Sequence, residues 1–252
     1  LHLPVLWTHL IPATLEGKAM YNVQNAMFAA AMAFAFGLDL DNIRHGLRTF
    51  DTSFFQAPGR TNVYDEHPFK VILDYGHNPA AIAAMADLVD RLDIKGRRLV
   101  VAAMPGDRRD EDIAAAAREL AGHFDHYFLK PDDDRRGRGP MEVPEMLRAV
   151  LLENGVTEAQ ITMMPDESTA IDTALAAAAP NDLLVVFADE LARSWKQIIY
   201  FKKTEREAIA SAAPVRVERP KVGFEELLAG GDQLIRDERG VRLARGAGEE
   251  AD

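Results

Sequence analysis

An acid, a histidine and an asparagine stand close together in DYGHNP, residues 74–79. The apolar run Val71, Ile72 and Leu73 before them suits a buried strand, and an alanine-rich helical pattern follows. Pro79 suits the first helical position, Asn78 suits an N-cap, and Gly76 allows a tight turn. Asp74 and His77 are not needed to make that joint. They would stand at the carboxyl end of a parallel strand, beside the free N–H groups of a helix. In open α/β sheets phosphates and other ligands bind there. The plainer reading of Asp74 is a cap for loop N–H groups.

Three basic clusters lie in glycine-bearing loops: Arg60 in PGR, Arg108 and Arg109 in PGDRRD, and Arg135, Arg136 and Arg138 in DRRGRG. In a chain of net charge -11 such clusters point to a compact anion site, and solvated loop charge is the plainer alternative. The three consecutive acids Asp132, Asp133 and Asp134 point in different directions, so no metal site is expected from them.

The elements that must position these residues alternate regularly. A helix over 20–36, read as buried and ended by Gly37, precedes a second helix over 41–50. Strands at 62–65 and 70–74 are joined by a turn at His67–Pro68. Strands then alternate with helices: helix 80–92, strand 98–103, helix 112–122, strand 126–129, helix 142–154, strand 160–164, helix 168–178, strand 182–188 and helix 190–201. Units of this length imply parallel strands with right-handed crossovers. The fold expected is α/β: a Rossmann-like three-layer α/β/α domain over 58–202, preceded by a helical segment over 1–57. The remainder, 203–252, is charged and punctuated by Gly and Pro, and reads as a partly disordered tail. The loops DYGHNP, AMPGDRRDED and LKPDDDRRGRG would gather on one rim of the sheet.

Bulk properties narrow the function. The chain has 252 residues, 48% of them hydrophobic, enough to form a core. No apolar run suffices to span a membrane, and LHLPVLWTHLIP lacks the marks of a signal peptide. The missing initiating methionine points to a cut N-terminus. There are no cysteines, which removes disulfides and thiolate metal sites and is compatible with a cytoplasmic location. The acidic balance argues against nucleic-acid binding.

APGRTNVYDEHPFKVILDYGHNP resembles the junction into the C-terminal domain of the Mur ligase superfamily, the ATP-dependent amino acid and peptide ligases. YNVQNAMFAAAMA resembles the Asn-x-x-Asn helix near the end of that family's central ATPase domain. PGDRRDEDI followed by KPDDDRRGRG is similar to cyanophycin synthetase, which polymerises aspartate and arginine. The resemblance covers about residues 20–200.

It implies activation of a carboxylate by ATP as an acyl phosphate, then attack by an amine, with ATP and Mg2+ as cofactors. Asn22 and Asn25 would contact the adenine edge, and Arg60 the nucleotide. Asp74 would hold ribose hydroxyls, with His77 and Asn78 nearby. Gly106, Asp107, Arg108 and Arg109, with Asp132 to Arg135 and Arg138, would bind the amino acid or peptide substrate, such as arginine or an aspartate-rich polymer. The acids, Asp133 and Asp134 foremost, would receive a guanidinium. Arg135 or Arg138 would take the α-carboxylate. The family also commonly works as a homo-oligomer. The phosphate loop G-x-x-x-x-G-K-[ST] is absent, EGKA being no substitute. The chain therefore reads as the end of a ligase, with no catalytic residue assigned and no activity alone. A murein or folylpolyglutamate-type ligase end, or a non-catalytic nucleotide-binding or scaffold module, are the alternatives.

Overall fold

Strand β1 (Asn62–Tyr64) pairs antiparallel with β2 (Lys70–Asp74) as a hairpin. The other strands are parallel: β3 (Arg98–Ala102), β4 (His126–Leu129), β5 (Ile161–Met163) and β6 (Leu183–Phe187). Across the sheet the order is β1-β2-β6-β3-β4-β5. This computed structural model describes residues 3–202 and, further on, the backbone of β7 (Gln233–Asp237) and β8 (Gly240–Ala244), an antiparallel pair. The tail predicted to be partly disordered thus carries a hairpin, and the rest of it lies outside the described residues. Residues 1–208 cluster as one unit and the hairpin belongs to a second, Ile209–Asp252.

Both faces of the sheet are covered, and so β2, β3 and β6 read as unbroken apolar runs rather than alternating ones. On one face Ile72, Val100, Tyr127 and Val185 meet α3 (Pro79–Arg91), α4 (Asp110–Leu120) and α5 (Glu142–Glu153). On the other, Val71, Leu73, Val101 and Val186 meet α6 (Glu167–Ala177) and α7 (Leu191–Tyr200). The three-layer prediction is met. The chain leaves β2 by α3 on one face and β6 by α7 on the other. The topological switch therefore lies between the carboxyl ends of β2 and β6, where open α/β sheets bind ligands. Asp74 and Phe187 are register partners at that edge.

Local signals set the boundaries. Asn78 caps α3 by accepting from the Ala81 N–H at 2.9 Å, with Pro79 next. Helix α2 runs Leu40–Thr49, one residue earlier than predicted, because the side chain of Asp39 accepts from the Asn42 N–H at 2.8 Å. Helix α1 (Met20–Ala35) ends before Gly37, which has φ 86.

The prediction that α1 is buried is wrong. It has no buried residue, and Phe28 and Met32 are 68% and 58% exposed. Composition records that a helix needs an apolar neighbour, not which segment supplies it. Only its first turn reaches the sheet, through Tyr21.

Exposure and burial give opposite expectations for substitution. Phe28→Glu and Met32→Glu should each change the chemical-denaturation free energy of this chain by less than about 0.5 kcal/mol. Ile82→Ala, fully inside the core, should cost about 2–5 kcal/mol. Equal losses for the two classes would mean that α1 is covered.

Candidate functional site

Asn22 and Asn25 lie one turn apart on α1 and, with Arg60, line a cleft of about 540 Å³ between α1, α2 and the loop before β1. Its walls are mostly small and apolar, including Ala26, Ala29, Ala30, Ile43 and Leu47. The Asn22 amide donates to the Ala13 carbonyl at 2.8 Å, and that of Asn25 donates to Asn22 Oδ1 at 3.2 Å. Asn22 is thus held in place while the Asn25 carbonyl stays open. Three of the residues predicted to hold a nucleotide meet here, in a space within the usual range for small-molecule sites.

Asp74, His77 and Asn78 do not line that cleft. Asp74 Oδ2 accepts from the Thr61 N–H at 2.8 Å and from the Thr61 hydroxyl at 3.3 Å. The same hydroxyl meets Tyr21 Oη at 2.6 Å, so α1 is tied to the end of β2. Thr61 is buried at φ 53, a strained conformation for a β-branched residue, and these bonds hold it there. Capping of loop N–H groups, the plainer reading of Asp74, is what one of its oxygens does. Burial pushes the Asp74 carboxyl above the usual range, while the Thr61 bonds and the Arg60 charge draw it back. Arg60 therefore acts on both the cleft and Asp74. His77 turns its Nδ1 back to the Tyr75 carbonyl at 2.8 Å, and Asn78 is engaged in its cap.

The loops after β3 and β4 abut. A β-carbon on Gly106 would run into the Arg135 carbonyl, so only glycine allows this approach. Arg138 clamps the pair: its Nε donates to the Gly106 carbonyl at 2.8 Å, and its Nη2 donates to the Arg108 carbonyl at 2.8 Å and to Asp110 at 2.7 Å. Its Nη1 reaches Glu142 at 2.9 Å. Arg136 pairs with Asp107 at 2.6 Å, and Arg109 with Asp112 at 2.9 Å. All three polar edges of Arg138 are bound within the protein, which leaves it no free fork for a carboxylate. Asp133 does hold a guanidinium, but that of Arg193 on α7, at 2.6 Å. An internal partner is always present and loses little freedom on pairing, so it takes such positions first. Asp134 accepts from the Arg136 N–H at 3.2 Å, and Asp132 from the Asp134 N–H at 2.8 Å. Among the described residues the Arg135 guanidinium makes no ion pair, and Arg108 Nε is buried without a hydrogen-bond partner. Asp132, Arg108 and Arg135 keep open groups in the two loops, as does Asp134, whose Oδ2 lies 3.7 Å from Arg136 and accepts no hydrogen bond.

A second cluster escaped the sequence reading. Lys130 follows β4 with no exposed surface, and its Nζ meets Glu167 at 2.8 Å and Asp189 at 2.5 Å. Glu167 also accepts from the Asp189 and Glu190 N–H groups, from Ser194 and from Arg193. Asp189 Oδ2 accepts from the Asp133 N–H at 3.1 Å. Burial favours neutral Glu167, yet Lys130 and the donated bonds hold its carboxyl down to about 2. Burial pushes Asp189 up to about 6 against the pull of Lys130. Burial also disfavours the Lys130 ammonium, but the two carboxylates keep it charged. The only sequence signal was a lysine placed directly after the apolar run HYFL.

Lys130→Met strands Glu167 as a buried charge, and should lower stability by about 3–5 kcal/mol in denaturant titration. A loss below about 1 kcal/mol would contradict the network. The two acids act in opposite directions with pH. The Asp189 contribution is full below its unfolded value of about 4 and is lost as pH rises through about 6. The Glu167 contribution is present above its ordinary value and is lost as pH falls through about 2. Asp189→Asn should therefore remove a decline in unfolding free energy between about pH 4 and 6. Parallel pH curves for variant and wild type would rule this out.

Comparison with known proteins agrees with this architecture. The family description "Mur ligase, glutamate ligase domain" matches residues 59–190. The chain is 37% identical over 189 residues to the cyanophycin synthetase of Geminocystis herdmanii, covering 75% of this chain and 21% of the relative. It is 33% identical over 184 residues to a UDP-N-acetylmuramoyl-L-alanyl-D-glutamate--2,6-diaminopimelate ligase of Corynebacterium efficiens, covering 70% of this chain and 33% of that protein. Among solved structures, E. coli FolC in complex with DHPP and ADP superposes with a TM-score of 0.54 at 27% identity, over 69% of this chain and 38% of that one. The chain thus spans about a fifth of the length of its cyanophycin synthetase relatives. With its C-terminal sheet, its rim loops and half its length matched, the chain belongs to the Mur ligase family and carries that family's C-terminal domain.

Proposed function

We propose that this chain is the amine-presenting end of an ATP-dependent acid–amino-acid ligase of cyanophycin synthetase type. The observation that carries the reading is the pair of rim loops, PGDRRDED and KPDDDRRGRG, interlocked at Gly106 and Arg138 beside the topological switch. Cyanophycin synthetases at 36–37% identity support it. In this reading residues 1–57 close a central ATPase domain, 58–202 form the C-terminal domain, and the uncovered apolar side of α1 faces the remainder of the ATPase.

ATP supplies activation of a carboxylate as an acyl phosphate. Asn22 and Asn25 take the adenine edge in the alanine-walled cleft, Arg60 neutralises phosphate charge, and Asp74 offers its less-occupied oxygen to ribose. His77 and Asn78 shape the turn beside it. Among the described residues no group of three acids or histidines converges on one point, and no metal step is assigned to this chain. On the rim, Asp132 accepts the positive end of the amine substrate. Arg135 and Arg108 meet its carboxylate, using charge-assisted hydrogen bonds of both signs. Arginine, with a guanidinium and a carboxylate, suits that arrangement. Asp107, Arg109, Asp133, Asp134 and Arg138 serve by holding the loops, and Gly106 by admitting them.

The test uses a full-length ligase carrying this chain, supplied with ATP, arginine and an aspartate-rich acceptor. Asp132→Asn should lower arginine incorporation by roughly 10-fold or more while aspartate addition persists. Asp74→Ala and Arg60→Ala should raise the apparent KM for ATP. Incorporation of glutamate or diaminopimelate in place of arginine would move the assignment to a folate or murein type. The isolated chain, without a phosphate loop, should show no micromolar ATP binding by calorimetry. Tight binding there would contradict the division of labour.

A further inference from the structure

Asp189 has no part in the reading above, yet it stands on the rim where that reading puts the amine substrate. It lies two residues beyond Phe187, the register partner of Asp74, at the carboxyl end of β6 and beside the topological switch. Its Oδ2 is fixed by Lys130 Nζ and by the Asp133 N–H. Its Oδ1 accepts no hydrogen bond, and the side chain keeps 21% exposure. One oxygen is anchored, in part to the loop that carries Asp132, and the other is open.

We propose that Asp189 is the general base that takes a proton from the ammonium group of the amine substrate, with Lys130 as its positioning residue. The proposal rests on the ligase reading. An ammonium cannot attack a carbonyl carbon, because its nitrogen has no free electron pair. One N–H bond breaks, its pair stays on nitrogen, and the proton bonds to Asp189 Oδ1. That pair then forms the C–N bond at the activated carbonyl. The C–O bond to phosphate breaks and its electrons leave on the phosphate, which takes up the second N–H proton as the nitrogen becomes a neutral amide. Asp189 returns its proton to water.

The surroundings separate the two acids that share Lys130. Glu167 is fully buried and saturated by donors, so it stays ionised and gives structure. Asp189 faces Lys130 from β4, Glu167 from α6, Asp132 from the acidic loop, Arg193 from α7 by way of Glu167, and its neighbour Glu190. Burial and two like charges bring it close to neutrality, where an acid can both accept and release a proton. The fixed cation keeps it ionised at pH 7.

Hydroxylamine separates this role from a structural one, because it is already neutral at pH 7 and needs no base. In a full-length ligase carrying this chain, Asp189→Asn should slow amide formation by about 100-fold or more. Hydroxamate formation should stay within roughly twofold of wild type. The lower limb of the pH–rate profile, near about 6, should vanish, and Asp189→Glu should restore part of the rate. Equal losses of amide and hydroxamate would overturn the proposal in favour of a structural role. A wild-type ligase that makes no hydroxamate and consumes no ATP would remove the ligase reading, and the base with it. In the isolated chain, carbon NMR of the Asp189 carboxyl should give a titration midpoint of about 6. A midpoint at the ordinary value of about 4 would overturn the assignment without any assay of activity.

Discussion

A lysine ammonium with no exposed surface dictates what surrounds it. Lys130 stands just past the end of β4, where an unpaired buried charge would cost several kcal/mol. Two carboxylates must therefore be delivered from elsewhere, Glu167 by the start of α6 and Asp189 by the end of β6. Their arrival fixes two elements at once. Glu167 gathers the backbone N–H groups of Asp189 and Glu190, which sets the turn into α7, and Ser194 and Arg193 follow on α7. Asp189 holds the Asp133 amide, which sets the acidic loop. The rim is built around one buried charge, and the loops that carry its open groups take their orientation from it.

The cleft between α1 and α2 uses a different constraint. It is apolar and small-walled, and its polar groups come from α1 and the loop before β1. The contact between the two sides is a strained threonine. Thr61 follows Arg60, carries a positive φ, and links Tyr21 on α1 to Asp74 on β2. A conformation of this kind persists only where its surroundings over-determine it. Here it lets one short segment aim Arg60 at the cleft and steady Asp74 at the sheet edge.

Much of this was legible in the chain. The alternation of short apolar runs with helical patterns gave the three-layer sheet, because each strand buried on both faces must read as continuous apolar sequence. Asn78 and Pro79 marked the start of α3 without ambiguity. The gathering of DYGHNP, PGDRRDED and KPDDDRRGRG on one rim followed from parallel topology alone. What sequence could not show was pairing across distance. Arg138 and Asp133 look free in the one-dimensional chain, but their partners lie at 106–110, 142 and 193. Lys130, Glu167 and Asp189 come from three separate connections, and no local pattern joins them. The apolar run of α1 was misread as core for a related reason: composition specifies that a face wants cover, and only tertiary contacts say whether this segment has it.

The central claim is that a buried lysine orders the rim, and amide hydrogen exchange across the Lys130→Met variant reports on it most directly. The Asp133 N–H, bound to Asp189 in the wild type, is the key probe. The account expects exchange at residues 131–138 to rise by about tenfold or more while amides in β2, β3 and β6 keep their protection. Unchanged exchange at the Asp133 amide, with the lysine gone, would mean that the rim is ordered by something else.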